Sequence, residues 1–271
     1  MEKRRMCPQC RAFITTEDKI CPYCNTEVAT RSVSRRAASD ALGGLIPHAR
    51  FTTLMIMLIN TGLYIATLLH TSRTGAGGMD PDGQTLFLFG AKYGPAIAAG
   101  QWWRLITAGF LHGGILHILM NMWVLFDLGA QVEEACGTSR FLVIYSVSNV
   151  TGFLASFYFL PSLSIGASAA IFGLIGAMIG VGVRDRSSYG SALRSFYMRW
   201  AIYGLILSLI PGTDYAAHIG GLAGGFAVGF IGGTPGYSAA VERAWQVAAG
   251  IALAITGLAF FEMARGLLSA S

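Results

Sequence analysis

The chain has 271 residues, of which 54% are hydrophobic and 12% are charged, and its mean hydropathy is +0.55. A soluble domain of this size carries more charge, so the composition excludes that class and predicts a polytopic membrane protein made of helices. The formal net charge of +5 does not indicate a nucleic-acid partner, because the basic residues lie before or between the apolar segments and are not interleaved with aromatic residues.

Two CxxC pairs lie in residues 1–28, Cys7 with Cys10 and Cys21 with Cys24. Two such turns can offer four thiolates to one ion in the tetrahedral geometry that structural zinc prefers. Because so short a segment has no hydrophobic core, the metal must supply most of its folding free energy. We therefore predict a zinc-ribbon-like segment. Two disulfides or iron in the same four-sulfur site are the alternatives, and disulfides are disfavoured because we place this end in the reducing cytosol.

Residues 29–50 are rich in Ser, Ala and Arg and end in a basic flank. This composition predicts a linker that holds the ribbon near the lipid surface. The ribbon is expected to have a structural or recruiting role, and a cytosolic partner is one option. The polar, cysteine-bearing segment before the first apolar run does not resemble a cleavable signal peptide, so the first span is expected to remain as an anchor.

Seven apolar segments follow, and several of them approach the roughly 20 residues that cross about 30 Å of hydrocarbon. The fifth ends at Pro211 and is expected to be too short to cross the full thickness of the bilayer. The predicted spans lie near 51–70, 115–131, 140–160, 167–183, 196–210, 215–231 and 243–263.

The positions of the basic residues predict the orientation of the chain. With the amino terminus in the cytosol, four cytosolic segments hold 9, 1, 4 and 1 of the 19 Lys and Arg residues, in chain order. These segments are 1–50, 132–140, 184–199 and 232–243. This asymmetry satisfies the positive-inside rule. The fourth and sixth spans then both begin at the outer face, so Ser168 and His218 are expected at the same depth.

The segment between the first two spans, 71–114, ends in QWWRLITAGFLHGG, which is apolar but too short to span the membrane. Trp102 and Trp103 beside Arg104 are typical of an interfacial or partly immersed loop with an aromatic anchor. This loop is expected on the same outer side as the candidate serine and histidine.

The starts of two predicted helices carry the candidate chemistry. Ser168 lies in GASAAIFGL, and His218 lies in AHIGGLAGG. A serine hydroxyl attacks a carbonyl effectively only when a neighbouring base takes its proton, and His218 is the base whose position fits. Asp214 lies one turn earlier but near the membrane surface, so we predict a Ser/His dyad rather than a triad. The GxSxG elbow of soluble serine hydrolases does not fit, because Ala170 stands at its second glycine.

The second span begins with HGGILHILMN, which places His117 and Asn121 at i and i+4 on one helical face. Both side chains can donate hydrogen bonds to the oxyanion of a tetrahedral intermediate, and the backbone N–H of Ser168 at a helix start can add another. The alternative is that the two polar side chains only hold helices together.

Glycines at four-residue spacing occur on both candidate catalytic helices, and this spacing allows two helix backbones to approach closely. Close approach is what a hydrogen bond of about 3 Å between Ser168 and His218 requires. The pairs are Gly176 with Gly180, Gly220 with Gly224, and Gly221 with Gly225.

These motifs and their order resemble the rhomboid family of intramembrane serine proteases over about residues 51 to 264. The family's GxSx motif is similar to GASA, which begins at Gly166 of this chain. Its histidine helix is similar to AHIGGLAGG, and its HxxxN motif is similar to HGGILHILMN. The WR pair that ends at Arg104 resembles the motif of the family's first loop. The resemblance implies an all-α membrane fold, a rhomboid-like bundle of six core transmembrane helices plus an extra carboxyl-terminal helix. The small zinc ribbon precedes this bundle.

The resemblance also implies roles for individual residues, and no cofactor for catalysis. Phe172, one turn after the serine, is implied to pack against the histidine, and Arg104 is implied to be structural. Glu133 with Gly137 resembles the acidic motif that closes the family's second helix. The implied site residues are Ser168 as nucleophile, His218 as general base, and His117 with Asn121 as oxyanion support.

The family usually has Gly after the serine, but this chain has Ala169, whose methyl group can crowd the oxyanion site or the facing helix. Because the backbone N–H is retained, we expect activity to be tuned rather than lost.

The predicted function is cleavage of transmembrane segments of other membrane proteins near their outer end. The alternative is a noncatalytic rhomboid-like protein that binds or escorts membrane proteins. A transporter is disfavoured, because no intramembrane charged pair or inverted repeat is evident.

Overall fold

The computed structural model of the protein divides into two compact units, Met1–Ile46 and Pro47–Ser271. The predicted linker, 29–50, lies outside the described residues. The structure describes residues 4–7, 9–10, 12–15, 18–28, 51–73, 80–236 and 238–270.

The amino-terminal unit is built on a two-stranded antiparallel sheet of β1 (Arg4–Met6) and β2 (Phe13–Thr15). An isolated antiparallel bridge joins Ile20 to Glu27. Only four residues of the described part are buried in its hydrophobic cluster, and two of them are cysteines. So small an apolar cluster contributes little to folding, as the sequence predicted. The four are Cys7, Ile14, Cys21 and Val28.

The second unit is helical. Three short helices occupy the segment between the first two long ones, and a π-helical turn, Leu125–Gly129, joins α5 to α6 so that they form one continuous helix. In chain order the helices are α1 (Phe51–Arg73), α2 (Gly83–Leu88), α3 (Gly94–Ala98), α4 (Arg104–Thr107), α5 (Ile115–Val124), α6 (Ala130–Cys136), α7 (Thr138–Phe159), α8 (Ser168–Arg184), α9 (Ser188–Leu207), α10 (Tyr215–Gly232) and α11 (Ala239–Ala270). With α5 and α6 counted together, a helix lies at each of the seven predicted positions, and all but the fifth match the predicted bounds well.

The fifth predicted span is wrong in its start and its length. Helix α9 begins at Ser188 and contains 20 residues, so it is not short. Its first turns were missed because they carry Arg194 and are not apolar, although the hydroxyl of Ser187 caps them by accepting a hydrogen bond from Gly190 N at 3.2 Å. The helix ends at Leu207, before Pro211.

Five helical segments among the described residues are long and apolar enough to cross a membrane. They are α1, the continuous α5–α6 helix, α7, α10 and α11. Helix α8 has 17 residues and is shorter, but most of its residues are buried because α7, α9 and α10 pack around it. Ser168 therefore begins the central helix of the bundle.

The loop before α5 is folded, and Arg104 holds it together. The Arg104 guanidinium is buried and donates hydrogen bonds to the carbonyl oxygens of Phe87 at 2.7 Å and Ala91 at 2.8 Å. It also donates to the side chain of Gln101 at 2.6 Å and lies 4.0 Å from the centroid of the Phe87 ring. These contacts satisfy carbonyl groups in the last turn of α2 and in the loop that follows it, which agrees with a structural role for Arg104.

Helices α8 and α10 contact each other through their backbones. A Cβ atom added to Gly221 of α10 would lie 2.0 Å from the carbonyl oxygen of Ala169 on α8. One added to Gly225 would lie 1.9 Å from the carbonyl oxygen of Gly173. Because no side chain fits at such distances, the predicted close approach is confirmed for Gly221 and Gly225.

Glycines of α8 make the reciprocal contact. A Cβ atom added to Gly176 would lie 2.1 Å from the carbonyl oxygen of Leu222, and one added to Gly180 would lie 2.5 Å from that of Phe226. The two helices are therefore in contact over several turns, and the prediction for Gly176 and Gly180 is also confirmed.

The third predicted pair, Gly220 and Gly224, faces a different helix. A Cβ atom added to Gly220 would lie 2.6 Å from the carbonyl oxygen of Thr151 on α7. One added to Gly224 would lie 2.1 Å from the Thr151 hydroxyl oxygen. Helix α10 thus presents one row of glycines to α8 and a second row to α7.

Replacing Gly225 with Ala is expected to destabilise the helical unit by about 1–3 kcal/mol, because the added methyl group forces α8 and α10 apart. The measurement is the free energy of unfolding in detergent. The matched control is Gly257→Ala in α11, where nothing lies within 4 Å of an added Cβ atom. This control is expected to equal or slightly exceed the wild-type stability, since Ala favours a helix more than Gly does. Equal stability of the two variants would contradict the packing described.

Candidate functional site

Ser168 is the first residue of α8, and the glycine two positions earlier fixes the chain that leads to it. Gly166 has a φ of +125°, and its N–H donates a hydrogen bond to the carbonyl oxygen of Ala108 at 2.9 Å. A Cβ atom at this position would lie 2.7 Å from Nε2 of His117. Both the backbone angle and the available space therefore require glycine at position 166.

The structure brings Ser168 and His218 together. Ser168 Oγ lies 2.8 Å from His218 Nε2, which is hydrogen-bond distance, although the two residues come from different helices. The imidazole is only 6% exposed, so bulk water does not surround it. A hydroxyl held against a buried imidazole nitrogen is the arrangement that nucleophilic serine chemistry needs.

Asp214 supports the histidine helix rather than the histidine ring. Its carboxylate accepts a hydrogen bond from Ala217 N at 2.9 Å and therefore caps the start of α10. It also accepts a hydrogen bond from the Ser156 hydroxyl. Neither of these two contacts is with the His218 ring.

The aromatic ring of Phe172 lies flat against the imidazole of His218. The two ring centroids are 4.3 Å apart and the planes differ by 17°. Space for the phenyl ring comes from Gly204 of α9, where an added Cβ atom would lie 2.7 Å from Phe172 Cζ. The stacking restricts the imidazole to one plane.

Ser208, directly after α9, is a site residue that the sequence reasoning missed. Its Oγ lies 2.5 Å from Nδ1 of His218 and 2.7 Å from the carbonyl oxygen of Gly204. The only signal in the sequence is a serine in an otherwise apolar stretch before Pro211. That pattern predicts a helix end rather than a contact with a distant histidine.

His117 and Asn121 line the same cavity as Ser168 and His218. Gly113 N donates a long hydrogen bond of 3.5 Å to Nδ1 of His117. The Asn121 side chain donates a hydrogen bond from Nδ2 to the His117 carbonyl oxygen at 2.9 Å. The cavity has a volume of about 920 Å³. Because the first N–H groups of a helix have no acceptor within that helix, the start of α8 also presents backbone donors near the nucleophile.

Lys92 was also missed, and it anchors the segment that precedes Ser168. Its Nζ donates hydrogen bonds to the carbonyl oxygens of Leu160 and of Ser162, the latter at 3.0 Å. Its backbone pairs with Ser164 in both directions at 3.0 Å. Burial lowers the pKa of Lys92. A buried lysine in a loop carries no distinctive sequence pattern, so only the structure reveals it.

The methyl group of Ala169 faces a neighbouring helix and not the cavity. A Cβ atom added to Gly152 of α7 would lie 2.7 Å from the Ala169 Cβ atom. Ala169 is also absent from the residues that line the cavity around Ser168. Of the two effects expected for this methyl group, the contact with the facing helix is the one that the structure shows.

The four amino-terminal cysteines form a cluster. Their sulfur atoms all lie within 4.8 Å of one another, with Cys7 Sγ 3.7 Å from Cys24 Sγ and Cys10 Sγ 3.6 Å from Cys21 Sγ. All four are free thiols, so the alternative of two disulfides is not what the structure shows. Hydrogen bonds from the side chain and backbone of Thr26 lower the pKa of Cys24 to about 6, which favours the thiolate that binds metal. This cluster can hold a metal ion.

Comparison with known proteins identifies one family. Residues 99–235 match the family profile described as Rhomboid domain. The chain is 39% identical over 173 residues to the rhomboid protease GluP of Bacillus subtilis (strain 168), a match over 64% of this chain and 34% of that protein. It is 40% identical over 158 residues to RHOMBOID-like protein 6, mitochondrial, of Arabidopsis thaliana, over 56% of this chain and 51% of that protein. Rhomboid-like protease 1 of Toxoplasma gondii is 30% identical over 274 residues, which is 92% of each chain. The match thus spans only about a third to a half of the first two relatives.

Replacing Gly166 with Ala is expected to lower the reactivity of Ser168 toward a fluorophosphonate more than tenfold, because the new methyl group collides with the His117 ring. The unfavourable φ should also cost about 1–3 kcal/mol of stability. Gly212→Ala is the matched control, since Gly212 lines the same cavity and has a φ of +90° but open space around its Cβ position. Labelling rates and unfolding midpoints measure both effects. If both variants keep the labelling rate of the wild type, the proposed need for glycine beside His117 is wrong.

Proposed function

The chain belongs to the rhomboid family, and on this premise we propose that it is an intramembrane serine endopeptidase. Its substrates are transmembrane segments of other membrane proteins, which it cleaves near the outer face of the bilayer with a Ser/His dyad. The observation that carries the proposal is the distance of 2.8 Å between Ser168 Oγ and His218 Nε2 in a cavity inside a helical bundle. A protein that only bound membrane segments would have no need for this contact.

In the proposed reaction, His218 Nε2 takes the proton of Ser168 as Oγ attacks the scissile carbonyl carbon. The resulting tetrahedral intermediate collapses when the imidazolium gives this proton to the leaving amine, and the acyl group stays on Ser168. A water molecule then attacks the ester while His218 takes a proton from the water. The proton returns to Ser168 Oγ as the new carboxylic acid leaves.

The negative oxygen of the intermediate needs preset donors. We assign this task to His117 and Asn121, which share the cavity with the dyad, and to the backbone N–H of Ser168. Gly166 allows the imidazole of His117 to lie next to the chain that carries the nucleophile. Support from donors fixed by the fold costs little reorganisation when the charge develops.

A substrate helix must unwind before its carbonyl group can reach Ser168. We therefore expect small or helix-weakening residues at the cut site. The cavity of about 920 Å³ is large enough for an extended segment of a few residues. Membrane-embedded proteins and the lipid bilayer are thus the proposed partners.

We propose that the amino terminus lies in the cytosol, in accord with the distribution of basic residues. Helices α8 and α10 then start at the outer side, so the cavity faces that side. Residues 1–28, 29–50 and 51–264 are assigned as the zinc-ribbon-like segment, the linker and the protease domain, respectively. A cytosolic partner for the ribbon stays a prediction.

For the cysteine cluster we propose structural zinc. Four sulfur ligands about 2.3 Å from a tetrahedral zinc ion lie about 3.8 Å from one another. Two of the sulfur pairs, Cys7 with Cys24 at 3.7 Å and Cys10 with Cys21 at 3.6 Å, agree with this geometry. Iron in a four-sulfur site has similar spacing, so the identity of the metal rests on the general preference of structural sites for zinc. The ribbon has no part in the proposed reaction.

Ser168→Ala is expected to abolish both cleavage of a reporter transmembrane protein and labelling by a fluorophosphonate, because the nucleophile is gone. Ser162→Ala is the matched control, since Ser162 lines the same cavity and contributes its backbone carbonyl to Lys92. Its cleavage rate should remain close to that of the wild type. Cleavage retained by a folded Ser168→Ala protein would remove the serine from the mechanism. A wild-type protein that neither cleaves the reporter nor reacts with the fluorophosphonate would favour the noncatalytic alternative.

Elemental analysis of the purified protein is expected to give about one zinc ion per chain. Cys21→Ser should lose most of this zinc, because a buried ligand of the cluster is removed. Cys136→Ser is the control, since Cys136 is buried in the helical unit and lies outside the cluster. Iron in place of zinc would contradict the proposed identity, and equal zinc in both variants would contradict the proposed site.

A further inference from the structure

Ser208 and the dyad form one chain of hydrogen bonds. Ser208 is 3% exposed and follows the last residue of α9. Its Oγ lies 2.5 Å from Nδ1 of His218, and Nε2 of the same ring lies 2.8 Å from Ser168 Oγ. Each nitrogen of the imidazole therefore has one serine hydroxyl as its partner.

The proton of the Ser208 hydroxyl can be placed from its second contact. The carbonyl oxygen of Gly204, 2.7 Å from Ser208 Oγ, can only accept a hydrogen bond. If Ser208 donated its proton to His218 instead, Ser208 Oγ and the Gly204 carbonyl oxygen would lie 2.7 Å apart with no proton between them. The single Ser208 proton therefore points to Gly204, and Ser208 Oγ accepts from the ring.

We infer that Ser208 is a positioning residue that holds the proton of neutral His218 on Nδ1, so that Nε2 is free to take the proton of Ser168. This inference rests on the proposed protease function for its consequence, although the proton position itself does not depend on that function. An imidazole with its proton on Nε2 could not accept from Ser168, and the dyad would be inactive in that form.

Ser208 also supports the charged form of the ring. When His218 takes the proton of Ser168, the imidazolium keeps its Nδ1–H bond to Ser208 Oγ. The hydroxyl is already polarised by its own donation to Gly204, and such chains of hydrogen bonds strengthen one another. A neutral hydroxyl thus occupies the place where serine proteases with a triad have a carboxylate.

Helix α9 holds the ring of His218 from two directions. Gly204 leaves space for Phe172, which stacks on the imidazole face, and Ser208 binds the Nδ1 edge. Together with Ser168 at Nε2, these contacts define both the plane of the ring and its rotation within that plane. The end of α9 is therefore part of what orients the base.

The test compares Ser208→Val with Ser208→Thr in the full-length protein. Valine removes the hydroxyl at nearly the volume of threonine, whereas threonine keeps it. Loss of one neutral hydrogen bond corresponds to a rate change of up to about tenfold. Ser208→Val is expected to lower the fluorophosphonate labelling rate and kcat by up to about tenfold, with KM unchanged. Ser208→Thr, which keeps the hydroxyl, should retain most of the wild-type labelling rate and kcat. Thr256→Val is the control, because the Thr256 hydroxyl donates to the Ala252 carbonyl oxygen of its own helix at 2.8 Å, far from the dyad in sequence.

A direct reading of the proton position is the nitrogen NMR spectrum of histidine-labelled protein. In the wild type, the His218 signals should show a proton on Nδ1 and none on Nε2, and Ser208→Val should shift the population toward Nε2. A proton on Nε2 in the wild type would overturn the inference, as would equal labelling rates for the valine and threonine variants.

The spectrum does not require activity. If Ser168→Ala still cleaved the reporter, the proposed function would fail while the proton position could still be read.

Discussion

The direct contact between the backbones of α8 and α10 is the constraint on which the site depends. Gly221 and Gly225 bring α10 against carbonyl oxygens of α8 at distances that leave no space for a side chain. Ser168 begins one of these helices and His218 lies in the first turns of the other. Their hydrogen bond therefore follows from how the two helices pack, and a methyl group in the contact would disturb it.

Around this contact, the fold satisfies polar groups that would otherwise be costly inside a helical bundle. Buried Lys92 and Arg104 donate to carbonyl oxygens of loops and of a helix end, and Asp214 caps the helix that carries the histidine. None of these three charges takes part in the proposed proton transfer. They hold the loops and helix ends that surround Ser168, and so they support the cavity that lies beside it.

The sequence predicted the parts of the structure that have local patterns. Apolar runs located seven helices, glycine spacing predicted the contact of α8 with α10, and motif order placed Ser168 beside His218. It missed features that depend on contacts between distant residues. Ser208, directly after the end of α9, contacts His218 on α10. The start of α9 was missed because its first turns are not apolar. The direction of the Ala169 methyl group also required knowledge of the helix that faces it.

The most direct test of the central claim is mass spectrometry of the protein after brief treatment with a fluorophosphonate, with and without His218→Ala. A hydroxyl activated by the neighbouring imidazole should carry the phosphonyl group on the peptide that contains Ser168 in the wild type. The same peptide should remain unmodified over the same time in the folded His218→Ala protein. Equal modification of Ser168 in both proteins would show that the hydroxyl reacts without the histidine, and would contradict the dyad.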